Sequence, residues 1–281
     1  NNNKYRNMKL PYIFILDIDH TIIGNINYQI LEYELLEIIK PELINNFDIT
    51  EDLNNGMLRP FFKEFISFIK NKYKNVEIFV YTNSSYHWAV NGIIPNIQKV
   101  INNVINKPYF TRENSNNNNK LLGNIYDSII DNLISKYPSL KKDKNKEFVF
   151  NNQLVFIDDI SENLKDYPEK QILCPVYNYT NIYDIKLKLI NKYQIKEEEF
   201  DKTEVLDFFN NNGIPIYNKN GSILQQDKIY QDLLELLLIR KSKLENTKKD
   251  IFFKSLISIF NKNKSMKLNA KFIERINNHS F

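Results

Sequence analysis

The run Phe14-Ile15-Leu16-Asp17-Ile18-Asp19-His20-Thr21 sets the tightest limit on what this chain can fold into. Its apolar half reads as a buried strand from about Tyr12 to Asp17, of the kind found in parallel sheets with helices on both faces. A buried strand has no packing reason to end on carboxylates. At the carboxyl edge of a parallel sheet, however, that is where ligands and metals bind. If the strand stays regular, Asp17 and Asp19 point the same way. If it coils there, Asp19 is free to offer its carbonyl to a metal while its side chain does other work. Two close acids with different duties suggest one nucleophile and one proton donor.

The same grammar recurs along the chain. Ile30, Leu31, Leu35 and Ile38 mark a helix from Asn27 to about Ile39, ended by Pro41. Arg59-Pro60 opens a second helix in which Phe61, Phe65, Phe68 and Ile69 share a face, with Pro60 suited to the first turn. A strand over Val76–Tyr81 ends on Thr82-Asn83-Ser84-Ser85, small polar residues able to cap a helix carrying Trp88, Val90 and Ile94. The polar stretch Asn114–Asn119 leads into Lys120, and a helix follows over about Ile125–Tyr137. The basic connector Lys141, Lys142, Lys144 and Lys146 reads as a solvated loop. A third strand, Leu154–Ile157, ends on Asp158-Asp159, and a fourth near Ile172–Val176 precedes a helix over Tyr183–Tyr193. Such alternation predicts an α/β fold, a doubly wound and mainly parallel sheet.

After about Phe200 the pattern changes to a small hairpin around Asn220-Gly221 and helices near residues 229–244, 253–260 and 268–276. The expected organisation is therefore a flexible N-terminal tail (1–11), an α/β domain (12–200) and a helical, basic C-terminal extension (201–281). The single cysteine, Cys174, excludes an internal disulfide and suits a reducing compartment, where it reads as a buried small hydrophobe. No apolar run approaches the ~20 residues a membrane span needs, so the expectation is a soluble protein of the cytoplasm or nucleus. Asn, Ile, Lys and Tyr all have AT-rich codons, as used in some protists and large DNA viruses. Part of the net charge of +4 is then mutational in origin and argues little for nucleic acid.

Three strand ends thus carry polar chemistry: Asp17 and Asp19, Thr82, and Asp158 with Asp159. Each alone is explicable as a turn or a helix cap; their joint occurrence in this order is not. In that order the chain resembles the haloacid dehalogenase-type phosphatases, whose four motifs are matched by Asp17-Ile18-Asp19-His20-Thr21, Thr82, Lys120 and Asp158-Asp159. Arg59-Pro60 before a Phe-rich helix, Tyr81-Thr82-Asn83-Ser84-Ser85 and Thr111-Arg112-Glu113 resemble one branch. That branch holds the RNA polymerase II C-terminal-domain phosphatases and the NLI-interacting-factor-like phosphatases. The resemblance covers about residues 12–195. Phe61 departs from it, standing where the branch has glycine, as do the Asn run before Lys120 and the longer basic insertion after it.

The resemblance implies a Mg²⁺-dependent phosphomonoester hydrolase working through an aspartyl-phosphate, with a phosphorylated peptide or protein as substrate. Asp17 is then the nucleophile and Asp19 the acid and base, with Thr82 and the Asn83 backbone on phosphoryl oxygens and Lys120 neutralising charge. Thr21 and Arg112 join the substrate contacts. The metal set is Asp17, Asp19 through its carbonyl, Asp158 and Asp159, with Asp159 expected to orient Lys120 or a metal-bound water. Lys107 or a lysine of the basic connector is the alternative to Lys120. His20 reads as a spacer and His87-Trp88 as packing. The rival readings are a polynucleotide 3′-phosphatase, using the basic extension as a nucleic-acid surface, and a phosphatase-like scaffold. Oligomeric state is left open.

Overall fold

Val, Ile, Leu and Phe fill four short strands, β1 (Tyr12–Leu16), β2 (Val76–Val80), β3 (Leu154–Asp158) and β4 (Gln171–Leu173). In the computed structural model, which describes residues 10–116, 119–181, 183–212, 249–279 and 281, they form one parallel sheet in the order β2-β1-β3-β4. The register sets Leu16 beside both Val80 and Ile157. The residues that follow, Asp17, Tyr81 and Asp158, therefore come level at one edge. From β1 the chain moves outward to β2, then crosses back to β3 on the other side. That reversal makes the end of β1 the switch point of the sheet, where open α/β folds bind their ligands.

Helix α1 (Asn27–Ile39) follows β1, and α2 (Phe62–Lys72) runs into β2. The crossover to β3 carries α3 (Ile94–Ile101), α4 (Leu122–Ile134) and α5 (Asp143–Gln153). Helices α6 (Ile185–Tyr193), α7 (Thr203–Asn211), α8 (Phe252–Lys262) and α9 (Ala270–Asn277) come after β4. Because strand side chains alternate, the sheet has two apolar faces. Phe14, Leu16, Ile78, Val80, Val155 and Ile157 pack beneath α1–α3 and α6–α9. Ile13, Ile15, Phe79, Leu154 and Phe156 pack beneath α4 and α5, with Leu10 buried alongside them. This is the doubly wound α/β architecture the alternation predicts.

Helix α8 lies against α2 through aromatic rings: Phe253 is 5.0 Å from Phe62 and 5.2 Å from Phe65, and Phe260 is 5.8 Å from Phe65 (ring centroids). Helix α9 closes the open edge of β4. The Asn277 side chain accepts from Leu173 N at 3.0 Å and donates to the Gln171 carbonyl at 2.9 Å, satisfying edge groups that would otherwise invite another strand.

Several local expectations need correction. The basic connector is not a loop. Asp143–Gln153 is helical, with Lys141, Lys142 and Lys144 exposed above the buried Asn145 and Val149. Lysines on the outer face of an amphipathic helix read as a charge run when the few apolar residues beneath are overlooked. Nor does Pro60 begin a helix. Leu58 bridges Ile23 and Arg59 N donates to the Ile22 carbonyl at 2.9 Å, which keeps this stretch extended, and α2 starts only at Phe62. Its buried face is Phe62, Phe65, Ile66 and Ile69 rather than one led by Phe61 and Phe68. Phe61 instead occupies the left-handed region (φ 63°, ψ 6°), which explains why glycine suits that position. The segment after Thr82 forms a π turn (Trp88–Ile93) before α3, and β4 stops three residues short of Val176, ahead of Pro175. The hairpin near Asn220, the helix at 229–244 and the first nine residues lie outside the described residues.

Candidate active site

Strand β1 ends at Leu16, but Asp17 N still donates to the Ile157 carbonyl at 3.0 Å, so Asp17 is the last residue held by the sheet. The chain then coils. The amides of Thr21, Ile22 and Ile23 all converge on the Ile18 carbonyl, at 3.3, 3.0 and 3.2 Å, and His20 takes a left-handed conformation (φ 58°). Of the two geometries open to the strand end, the coiled one is found, and it separates the two acids. Asp17 faces Lys120, whose Nζ lies 2.6 Å from its Oδ1. Asp19 turns towards β2, where its Oδ2 accepts from Ser84 Oγ at 2.9 Å and Thr82 Oγ1 at 3.2 Å. Its other oxygen, Oδ1, is buried and has no hydrogen-bond partner among the described residues.

Lys120 is almost wholly buried (1% exposed), and its Nζ also donates to Asp158 Oδ2 at 2.7 Å. Long-range contacts place it there. Its amide donates to the Asn163 carbonyl at 2.9 Å, it bridges Leu164, and α4 just after it is capped by Asp166, which accepts from the amides of Leu122 and Gly123. Lys107 is exposed, over the Tyr109 ring, while Lys141 and Lys142 are exposed just before α5 and Lys144 and Lys146 lie on it, so none of them replaces Lys120.

Asp158, the last residue of β3, is fully buried and oriented from three sides. Ile160 N donates to Oδ1 at 2.8 Å, and Asn163 Nδ2 reaches both oxygens at 3.0 and 3.1 Å. Asp159 does not orient Lys120. Its Oδ1 lies 3.2 Å from Thr21 Oγ1, which also receives the Asp159 amide at 3.1 Å and lies 3.2 Å from Asp17 Oδ2. Thr21 is fully buried, and its hydroxyl stands between Asp17 and Asp159.

One oxygen from each of Asp17, Asp158 and Asp159 falls within 4.8 Å of the others, a grouping able to hold a metal ion. The Asp19 carboxylate stands apart from that set, so of its two expected duties only the backbone carbonyl remains for a metal. Three carboxylates with one ammonium leave unbalanced negative charge. Burial raises Asp17 well above the usual carboxylate range, with the charges of Asp158 and Asp19 adding to it against the pull of Lys120. Burial likewise raises Asp159, reinforced by Asp158. An oxygen-only donor set with surplus negative charge fits a hard divalent cation such as Mg²⁺. Burial raises the Asp19 carboxyl too, opposed by its bonds from Ser84 and Thr82. With Oδ2 held by two hydroxyls and Oδ1 unengaged, the Asp19 side chain is oriented to exchange a proton through Oδ1.

Thr82 is fully buried; besides reaching Asp19 it accepts from Ser84 N at 3.1 Å. Arg112 lies exposed on a short 3₁₀ turn, its Nε donating to the Asn83 carbonyl at 2.8 Å, which puts its guanidinium beside the second motif. His20 sits against the Tyr177 carbonyl, and Trp88 packs between Tyr33 and Phe47. Sequence reasoning missed Ser84 and Asn163. Each lies a few residues beyond a motif acid or threonine, and only tertiary structure gives either a role.

A family model described as NLI interacting factor-like phosphatase matches residues 12–206. The solved structure of Fcp1, an essential RNA polymerase II CTD phosphatase, aligns over 94% of this chain and 68% of that one, at 16% identity and a TM-score of 0.35, a likeness too loose to carry an argument. No curated protein matches the chain.

Proposed function

From the premise that this chain belongs to the NLI interacting factor-like phosphatases, we propose that it is a Mg²⁺-dependent phosphatase that cleaves phosphoserine or phosphothreonine in a protein through an aspartyl-phosphate. The observation that carries this reading is the Lys120 ammonium bridging Asp17 and Asp158, with the Asp19 carboxylate turned away to Thr82 and Ser84. Nucleophile and proton donor are thereby kept in separate environments.

Asp17, Asp158 and Asp159, with the Asp19 carbonyl, would hold the cation, whose positive charge lets a carboxylate approach a phosphate dianion. Asp17 attacks phosphorus in line, the ester P–O bond breaks, and the leaving alkoxide takes the Asp19 proton. Water then gives a proton back to Asp19 and attacks phosphorus, the bond to Asp17 breaks, and phosphate leaves. Lys120 offsets charge on the transferring group, and Thr82 with the Asn83 backbone hold its oxygens. Arg112, exposed and bonded to the Asn83 carbonyl, contacts the substrate chain in this reading. In this reading the catalytic residues lie within 12–200, and of the extension (201–281) the described helices α8 and α9 share the core of that unit.

The test is hydrolysis of an aryl phosphate with and without Mg²⁺ by the native chain and by Asp17→Asn. Metal-dependent turnover lost in a folded variant is expected. Equal turnover in the two proteins removes Asp17 from the chemistry. No turnover by the native protein, with Mg²⁺ bound, favours the scaffold reading.

A further inference from the structure

Arg59 has no part in the chemistry above, yet it is a guanidinium almost completely removed from water. It lies 4.7 Å from the Phe252 ring centroid and 5.5 Å from that of Tyr177. Its Nε and Nη2 grip Asp250 in a fork, at 3.1 Å to Oδ1 and 2.9 Å to Oδ2. Its Nη1 donates to the Thr21 carbonyl at 3.1 Å, and its own amide donates to the Ile22 carbonyl at 2.9 Å. Thr21 is the residue whose hydroxyl stands between Asp17 and Asp159. An unbroken chain of contacts therefore runs from Asp250, at the head of α8 and beyond the 12–206 span matched by the family, to two acids of the site.

We propose that Asp250 is a positioning residue for the phosphatase reaction, acting through Arg59 to fix the Thr21 backbone and hence the spacing of Asp17 and Asp159. This rests on the reading that those two acids serve the reaction. The loop needs such an anchor. Three of its amides share the single Ile18 carbonyl, and His20 is left-handed, so its internal bonds are few and its conformation is held from outside. A buried guanidinium keeps a fixed orientation only while its charge is paired. The bidentate fork to Asp250 supplies both the charge and the angle. Without it, Arg59 is drawn towards water and the Thr21 carbonyl loses its donor.

The experiment compares the native 281-residue chain with Asp250→Asn, Asp250→Ala and a control, Leu256→Ala, which loosens the same helix without touching Arg59. Hydrogen exchange at the amides of Thr21, Ile22 and Ile23 reads the loop without requiring turnover. Titration of thermal stability with Mg²⁺ reads the acids without requiring substrate. The proposal expects faster exchange in that loop but not in β1. It also expects a half-saturating Mg²⁺ concentration about 10–100-fold higher in both Asp250 variants, with kcat lowered to a similar degree. Leu256→Ala should lower the melting temperature and leave both readouts at native values. The proposal is overturned if the Asp250 variants match Leu256→Ala, with a lower melting temperature but native loop exchange and native Mg²⁺ dependence. Should the native chain lack turnover, the catalytic reading fails by itself, while exchange and Mg²⁺ titration still decide whether Asp250 positions the loop.

Discussion

The residue on which this site depends is Lys120, a buried cation held between two buried carboxylates at 2.6 and 2.7 Å. Burial alone would lower its pKa, but the charges of Asp17 and Asp158 outweigh that and raise it above the usual lysine range. Lys120→Met keeps the volume and removes the charge. Turnover should fall by about 10²–10³-fold, as when a preorganised electrostatic partner is lost. Without divalent metal the variant should be about 3–5 kcal/mol less stable, because like charges are left facing each other, and Mg²⁺ should restore much of that loss. Denaturant unfolding with and without Mg²⁺ checks it; a variant as stable as the native chain in chelator would contradict the ion-pair account. At this scale the position of the acids at the strand ends was legible, since each follows or closes an apolar run, and their joint occurrence is what a turn or a cap does not explain. Lys120 was less so. A lysine after an Asn run looks solvated, and the contacts that bury it come from Asn163 and Leu164, more than forty positions away.

Among the elements, the turn into α2 holds the clearest local conflict. Phe61 has its backbone in the left-handed region while its ring packs against the core and lies under the Lys254 ammonium at 5.5 Å. Two substitutions separate these effects. Phe61→Ala loses the ring and keeps the strained backbone, whereas Phe61→Gly loses the ring and relieves it. The glycine variant should therefore be the more stable of the two by about 1–2 kcal/mol, measured by chemical denaturation. The reverse order, the usual one at a helix start without strain, would mean that the left-handed turn is not what the position demands. Helices and strands were legible here wherever periodicity was strong, as in α1 and β1–β3. Their ends depended on partners: β4 is short because pairing gives out before Pro175, and α2 begins late because Leu58 and Arg59 are engaged by Ile23 and Ile22.

At the level of the whole molecule, the helices beyond the family match are part of the core. Phe252, Phe253, Leu256 and Phe260 of α8 and Phe272, Ile273 and Ile276 of α9 are buried in the same cluster as Phe14 and Leu16. An amphipathic pattern announces that a helix has a buried face but not what covers it, so the sequence suggested an appendage where packing makes a shared core. Leu256→Ala should then cost about 2–5 kcal/mol within a single unfolding transition, seen alike by far-ultraviolet circular dichroism and by fluorescence of Trp88, which belongs to the same core and packs on Tyr33. Two separated transitions would show the C-terminal helices to be an independent unit. The central claim, that Asp17 takes the phosphoryl group and Asp19 moves the protons, meets its most direct test in Asp19→Asn. This variant keeps the nucleophile and removes the base that hydrolyses the intermediate. Mixed with an aryl phosphate and Mg²⁺ and quenched in acid, it should carry one phosphoryl group on the peptide containing Asp17, by mass spectrometry. An unmodified Asp17 peptide, or a phosphoryl group on another residue, would contradict the mechanism.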